Sequence, residues 1–413
     1  MGYTRLMAAD QFTVRSGTAD DFDDLFLVLQ RAFNDDPDDA ERDDERQVYE
    51  PDRSILAYRG DALAGTAAAY TRELTVPGGV VPAAHVSMVG VDPTFRRQGV
   101  LTRMMTHQLA DIRGRGEPVA LLWASEGRIY QRYGYGLAAR KLAFEIEREV
   151  RLRETPPPGG LRGGTPAELV ADLRAVYERV RVDRVGWSSR PGIWWDHLLG
   201  DLPKRRRGAS MLRGVVHDGP DGPDGYALWR VRGDWSSTGP RGEVVVREVA
   251  AATTGAYRAL WHHLLTVDLT RSTSMWIAAI DEPLLFLVDE PRRVGARLGD
   301  GLWLRVVDVP AALTARRYAA PVDVVVAVDD PQLPDNSGAW HLVGDPTGAK
   351  CVRADRPAEL RCEVSALAAV YLGDASLATL AAAGRVRELV PGTLAPAATA
   401  FGWPRPPSAV EIF

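Results

Sequence analysis

Cysteine is nearly absent from this chain. Cys351 and Cys362 are the only two among 413 residues, and they lack a Cys-x-x-Cys spacing. That excludes a disulfide-framed secreted fold and a cysteine-rich zinc module, and buried, reduced thiols are the expectation. No apolar run approaches the ~18 residues of a membrane helix. The opening "MGYTRLMAADQFTVRSGTADDF" has no stretch resembling a signal peptide, so a soluble, cytoplasmic protein is expected. Nor is there an excess of basic charge. A net charge of −5 and a pI near 5.9 argue against bulk attraction to nucleic acid. The seven histidines show no metal-ligand spacing, and adjacent His262 and His263 cannot share one helical face. No metal is therefore expected. What is present is an ordinary globular composition, 46% apolar and 25% charged. The length suggests roughly two to four domains.

Proline and glycine concentrate in "ETPPPGGLRGGTP", Glu154 to Pro166, which reads as a linker, and a weaker break lies near "DEPRRVGARLGDG", Asp289 to Gly301. These breaks divide the chain into 1–153, 165–290 and 300–413. The first part reads as an acidic helix ("TADDFDDLFLVLQRAF"), antiparallel strands ("SILAYRG", "LAGTAAAYTRELTV", "AAHVSMVGV"), and then a helix, the strand "PVALLWAS" and the short helix and loop "GRIYQRYGYG". The second part repeats some of that order, with "DGYALWRVRGDW", "GEVVVREVAAA", the helix "TGAYRALWHHLLTVDL" and the strand "SMWIAAI". The third mixes strands with alanine-rich helices and ends in the proline-stiffened tail "PRPPSAVEIF". It reads as a separate α+β unit.

The most informative stretch is "VDPTFRRQGVLTRMM", Val91 to Met105. A strand ends at Pro93, which cannot donate the next ladder bond. Two arginines, Gln98 and Gly99 follow, and then a helix with Leu101, Met104, Met105 and Leu109 on one face. Backbone N–H groups left unpaired at a helix start, at the positive end of its dipole, bind phosphate oxygens. Gly99 permits close approach, and Arg96 and Arg97 add charge. There is no second glycine with Gly-Lys-Ser/Thr, so this is not a P-loop, and the three spaced glycines of a dinucleotide fingerprint are missing. The combination reads as a pyrophosphate cradle. The middle part, at "REVAAATTGAYRALW", has no Arg-Arg-x-Gly, as expected of a repeat that has lost the cradle.

"V-x-V-D-P-x-x-R-R-Q-G-V-L" resembles the acetyl-CoA-binding motif of the GCN5-related N-acetyltransferases (GNATs), although Leu101 stands where that motif places a second small residue. "SMVGVDPTFRRQGVLTRMM", "LLWASEGRIYQRYGYG", "DGLWLRVVDVPAAL" and "VYLGDASLATLAAAGRV" more specifically resemble the Eis (enhanced intracellular survival) acetyltransferases of actinobacteria. The resemblance implies an α+β chain of two tandem GNAT folds, the second degenerate, followed by a sterol-carrier-protein-like domain. It implies a homohexamer that acetylates amines, notably aminoglycosides at several positions, by direct attack in a ternary complex. It further implies that acetyl-CoA is held by Val89, Gly90, Val91, Arg97, Gln98, Gly99, Val100, Leu101 and Thr102, completed by Ser125 and Glu126. Tyr130 matches the family's proton donor, whereas spacing alone leaves Tyr130, Tyr133 and Tyr135 open. The proton acceptor would be the C-terminal carboxylate, here that of Phe413.

The acidic run "NDDPDDAERDDE", Asn34 to Glu45, reads as a solvated loop that could attract polyamines, with Asp35 as its candidate substrate contact. Glu411 is a second candidate, although it stands one residue earlier than the family's acidic-aromatic ending requires. "KRRR", Lys204 to Arg207, reads as surface charge. A protein-lysine or metabolite-amine acetyltransferase, or a carrier of apolar ligands using the last domain, are the alternative readings.

Overall fold

The computed structural model of the chain describes residues 12–157 and 159–413. Residues 1–11, on which half of the opening stretch falls, and Pro158 of the linker lie outside the described residues. Strand β1 (Thr13–Ser16) leads into helix α1 (Phe22–Phe33), whose Phe22, Leu25, Phe26 and Val28 face inward. Asp20 and Asp21 precede it at the positive end of its dipole, and Asn34 ends it in the left-handed region at φ 56°. The acidic run is not all loop, as expected from its charge. Asp38 accepts a hydrogen bond from the Glu41 N–H at 2.8 Å and caps α2 (Asp39–Val48). An aspartate cap, acids in the first turn and Arg46 in the last outweigh the run's self-repulsion. Strands β2 (Ile55–Arg59), β3 (Ala62–Val76) and β4 (Gly79–Val91) then form an antiparallel meander. Helix α3 (Val100–Gly114) buries Val100, Met104, Met105, Leu109 and Ile112. It is followed by β5 (Val119–Trp123), the single turn α4 (Gly127–Tyr130) and β6 (Gly136–Leu137).

The chain gathers into two units, one of residues up to 138 with 302–404 and Phe413, the other of 139–301 with 405–412. The second unit opens with β7 (Arg140–Glu147) and β8 (Leu161–Gly164). Helix α5 (Pro166–Arg181) starts with a Thr165–Glu168 capping box. The short helices α6 (Gly192–Leu199) and α7 (Pro203–Arg206) follow. Strands β9 (Arg213–Gly219) and β10 (Gly222–Arg232), the small hairpin β11 (Trp235–Ser236) and β12 (Gly239–Pro240), and β13 (Gly242–Ala251) come next. Helix α8 (Thr254–Leu265), strand β14 (Thr270–Ala278), helix α9 (Leu284–Leu287) and β15 (Arg297–Asp300) complete it. The seven-stranded sheet runs β8-β9-β10-β13-β14-β7-β15.

Strand β16 (Leu302–Val306) returns to the first unit, where it pairs antiparallel with β5 and β6. Its hydrophobic pattern marks it as a strand, but sequence placed it in the last part of the chain. The first sheet accordingly runs β1-β2-β3-β4-β5-β16-β6. After α10 (Val309–Ala315) come β17 (Val322–Asp329), β18 (Gly338–Gly344), β19 (Ala349–Arg353) and β20 (Leu360–Glu363). Helices α11 (Val364–Val370) and α12 (Leu377–Ala382), strand β21 (Val386–Glu388) and helix α13 (Leu394–Phe401) follow. The five strands form one sheet, β19-β18-β17-β20-β21. Arg305 on β16 donates two 2.7 Å hydrogen bonds to Asp330, both side chains being fully buried. Asn336 and the Val306 carbonyl add further hydrogen bonds to this pair, which offsets part of the cost of burying its charges. Cys351 and Cys362 are buried free thiols. No described helix is long and apolar enough to cross a membrane.

Candidate active site

Strands β4 and β5 run parallel but stay paired only from Ala83–His85 to Val119–Leu121. Beyond that point β4 continues to Val91, while β5 turns its other edge to β16, so a wedge opens between them. The opening coincides with a bulge. Opposite Thr66 and Ala68 of β3 the register of β4 slips by one residue, and Met88 takes a left-handed φ of 51°. The displaced Met88 carbonyl accepts a 2.9 Å hydrogen bond from the Thr66 hydroxyl. The wedge contains a cavity of about 740 Å³. Val89, Gly90 and Val91 form one wall, and Ser125 and Glu126, at the end of β5, form another. The end of α1 contributes Phe33 and Asn34. Gly90 is small for a reason, since a Cβ there would lie 3.1 Å from the Ala32 methyl.

The Arg-Arg-Gln-Gly turn closes the floor. Arg97 (φ 64°) and Gly99 (φ 88°) are both left-handed, and Gly99 is the N-cap of α3 with no side chain to cap it. The N–H groups of the first turn of α3 are therefore left for a ligand. A Cβ on Gly99 would meet nothing within 4 Å, so its φ, not crowding, calls for glycine. Asp92 braces the turn by accepting from the N–H and hydroxyl of Thr94 and from Arg31 Nε at 2.9 Å. Arg96 is spent on the Ala32 carbonyl at 2.7 Å. The Arg97 guanidinium has no partner among the described residues and lines the cavity with Val100, Leu101 and Thr102. The Gln98 side chain points elsewhere, donating to the Thr94 carbonyl and accepting from Arg59.

The three tyrosines left open by spacing have different surroundings. Tyr135 is fully buried, with a hydroxyl that finds no partner among the described residues. Tyr133 shares a 3.1 Å hydrogen bond with Thr102. Tyr130 lines the cavity and its hydroxyl has no partner among the described residues. Burial, helped by neighbouring Tyr133, pushes the Tyr130 pKa up to about 12.

The other predicted residues are not all gathered here. Asp35 lies just past α1, its N–H donating to the Gln30 carbonyl, and does not line the cavity although Asn34 does. Glu411 belongs to the second unit, where its carboxylate accepts from Arg190 Nε at 2.6 Å. Phe413 is grouped with the first unit, its ring edge-on to that of His85 with centroids 4.6 Å apart. His85 was not singled out in the sequence. It is fully buried on β4, three residues before the bulge, and burial holds its imidazole well below the ordinary pKa. The only signal was one polar ring inside the apolar strand "AAHVSMVGV".

Comparison with known proteins agrees with this geometry. Two acetyltransferase (GNAT) domain models match residues 13–138 and 186–306, and a sterol carrier protein domain model matches residues 309–409. An uncharacterized N-acetyltransferase of Streptomyces avermitilis is 45% identical over 94% of this chain and 96% of its own length. N-acetyltransferase Eis of Mycobacterium tuberculosis is 35% identical over 91% of this chain and 93% of its own. The crystal structure of Eis1 from Mycobacterium abscessus superposes with a TM-score of 0.84 at 35% identity, covering 97% of this chain and all of that one. A splayed parallel pair, an uncapped helix start and a relationship that spans nearly the full chain lead to one conclusion: this chain belongs to the Eis family of GCN5-related N-acetyltransferases.

Proposed function

We propose that the chain transfers the acetyl group of acetyl-CoA directly to a polycationic amine, with aminoglycosides as the acceptor class. In this reading the N–H groups at the start of α3, with Arg97, hold the pyrophosphate, and Val89, Gly90 and Val91 line the acetyl-pantetheine arm. Ser125 and Glu126 bound it on the β5 side. The carrying observation is that one cavity contains both an uncapped helix start and the unengaged hydroxyl of Tyr130. Transfer requires a neutral amine, a polarised carbonyl and a proton for the departing thiolate. Tyr130 keeps its proton through the neutral range and gives it to the thiolate.

The Phe413 carboxylate accepts the proton that the amine loses. A terminal carboxyl ordinarily has a pKa of about 3.3–3.7, so it acts through water on the incoming amine. The polycation preference rests on the acidic segment that follows α1, with Asp35 and Asp36 at its start and α2 behind them. Family likeness adds a homohexamer to the reading. The test is thiol release from acetyl-CoA against aminoglycosides, polyamines and lysine peptides. The expected outcome is fastest turnover with aminoglycosides, and turnover of lysine peptides alone would overturn the acceptor assignment.

A further inference from the structure

The second unit contains a cavity of about 380 Å³ of a different character. Seven arginines line it in a chain whose net charge is −5. The carboxylates in reach are already engaged. Asp201 is shared by Arg206 and Arg230, and Glu243 is paired with Arg232. Arg190 is bound by Glu248 at 2.8 Å and by Glu411 at 2.6 Å. Arg207 and Arg247 are left with no ion-pair partner among the described residues. Arg207 ends α7 in the left-handed region at φ 48°.

Arg247 occupies the bulge of β13. Between Leu228 and Trp229 of β10 the register of β13 slips past it, as β4 slips past Met88 in the first unit. It is half-buried, and burial, with the charges of Arg190 and Arg230, lowers its pKa to about 10 against the opposing pull of Glu248 and Glu411. It remains a cation at neutral pH, and the four carboxylates at the cavity, Asp201, Glu243, Glu248 and Glu411, are outnumbered by its seven guanidinium groups. Apart from the Glu248 and Glu411 carboxylates held by Arg190, the remaining walls are apolar and include Trp195, Leu228, Val246 and Ile277. A concave site with low-dielectric walls focuses the field of such charges. Guanidinium groups also match the geometry of phosphate and carboxylate.

We propose that this cavity binds a small anion carrying two or more adjacent oxyanion groups, phosphate or carboxylate, on an apolar body, with Arg247 and Arg207 as its main contacts. The inference stands apart from acetyl transfer and does not depend on it. The test is isothermal titration of the full chain with inorganic pyrophosphate and, separately, with citrate. At least one probe is expected to saturate with a Kd below about 1 mM, and the one that does identifies phosphate or carboxylate as the source chemistry. Arg247→Met and Arg207→Ala should each weaken that binding about tenfold, while Arg97→Ala, in the other unit, should leave it in place. Arg207 is exposed, so its variant tests the idea even where Arg247→Met does not fold. Absence of saturable binding by either probe overturns the proposal. So does binding that Arg97→Ala abolishes, or that survives both cavity variants unchanged.

Discussion

The two GNAT units share a skeleton, strand for strand. In each, a seven-stranded sheet contains one parallel pair, β4–β5 or β13–β14, and that pair parts after a few residues beside a bulge. They differ in what surrounds the wedge. In the first unit α3 starts at uncapped Gly99, whereas in the second α8 starts at Thr253, whose hydroxyl accepts from the Ala256 N–H at 3.1 Å. The turn after β5 contains Tyr130, while the corresponding α9 reads Leu-Leu-Phe-Leu. The first wedge holds a cavity of about 740 Å³, whereas the one in the second is smaller, about 310 Å³, and has the tail built into its walls. Ser408 accepts from Arg184 Nε at 2.8 Å and from Trp187 Nε1 at 3.1 Å, and its N–H donates to the Val185 carbonyl. Gly186 makes room, since a Cβ there would lie 2.4 Å from the Ser408 carbonyl oxygen. One scaffold thus leaves the start of its helix uncapped in one unit, and in the other pairs the corresponding groups with its own side chains.

The largest effect expected from this contrast is at Tyr130. Tyr130→Phe removes the proposed proton donor and little else, because the hydroxyl makes no hydrogen bond among the described residues. A fall in kcat of at least about a hundredfold with unchanged CoA affinity is expected, and unchanged kcat would remove Tyr130 from the chemistry. Because the pKa lies near 12, deprotonation of this group should not lower kcat anywhere below about pH 10. A decline with a midpoint near 10 would mean that the hydroxyl is more exposed to water than its burial implies.

Next in size is the chain end. One residue added after Phe413 displaces the carboxylate while leaving Glu411 and Ser408 seated in the second unit. An approximately tenfold or greater loss of kcat is expected if the carboxylate is the base, as proposed. Full activity in the extended chain would reduce Phe413 to an aromatic packed on His85.

A smaller effect is expected at the cap itself. Gly99→Ala introduces a Cβ into open space, so the penalty is conformational, about 1 kcal/mol for a left-handed alanine. The expected result is a several-fold rise in KM for acetyl-CoA with little change in kcat. A change in kcat alone would place the turn nearer the reacting atoms than the pyrophosphate.

Much of this was readable in the sequence because it is local. The Arg-Arg-Gln-Gly turn, the helix behind it and the absence of such a turn from the middle repeat depend on residues within fifteen positions of one another. Pairing was not readable. Whether β16 joins the sheet of β5 or that of its neighbour β15 depends on partners some 180 residues away, and its hydrophobic pattern fits either. The same holds at the site. Tyr130, Tyr133 and Tyr135 look alike in sequence, and only Thr102 and the walls around each ring separate them. Glu411 looked like a substrate contact until Arg190, 221 residues away, was seen to hold it. "KRRR" reads as surface charge, and Arg207 is indeed exposed, but that Arg247 lines the same cavity forty residues further on was not visible in the sequence.

The smallest predicted effect separates stability from function across the two units. Thr253 caps α8 and also donates a 2.6 Å hydrogen bond to Asp224, whose carboxylate is held below the usual range despite its burial. Thr253→Ala removes the cap, and a lost N-cap costs about 1 kcal/mol. For a unit of this size that lowers Tm by ~2–4 °C. Uncapping also frees N–H groups at the start of a helix, superficially recreating the condition at Gly99. Yet no acetyl-CoA site should appear, because no Arg-Arg-x-Gly turn leads into α8, no tyrosine lies in α9, and Ser408 is built into the wedge. The expected result is a lower melting temperature with unchanged KM and unchanged CoA stoichiometry. A second equivalent of CoA bound by Thr253→Ala would show that the cap alone, and not the tail, had closed the second site.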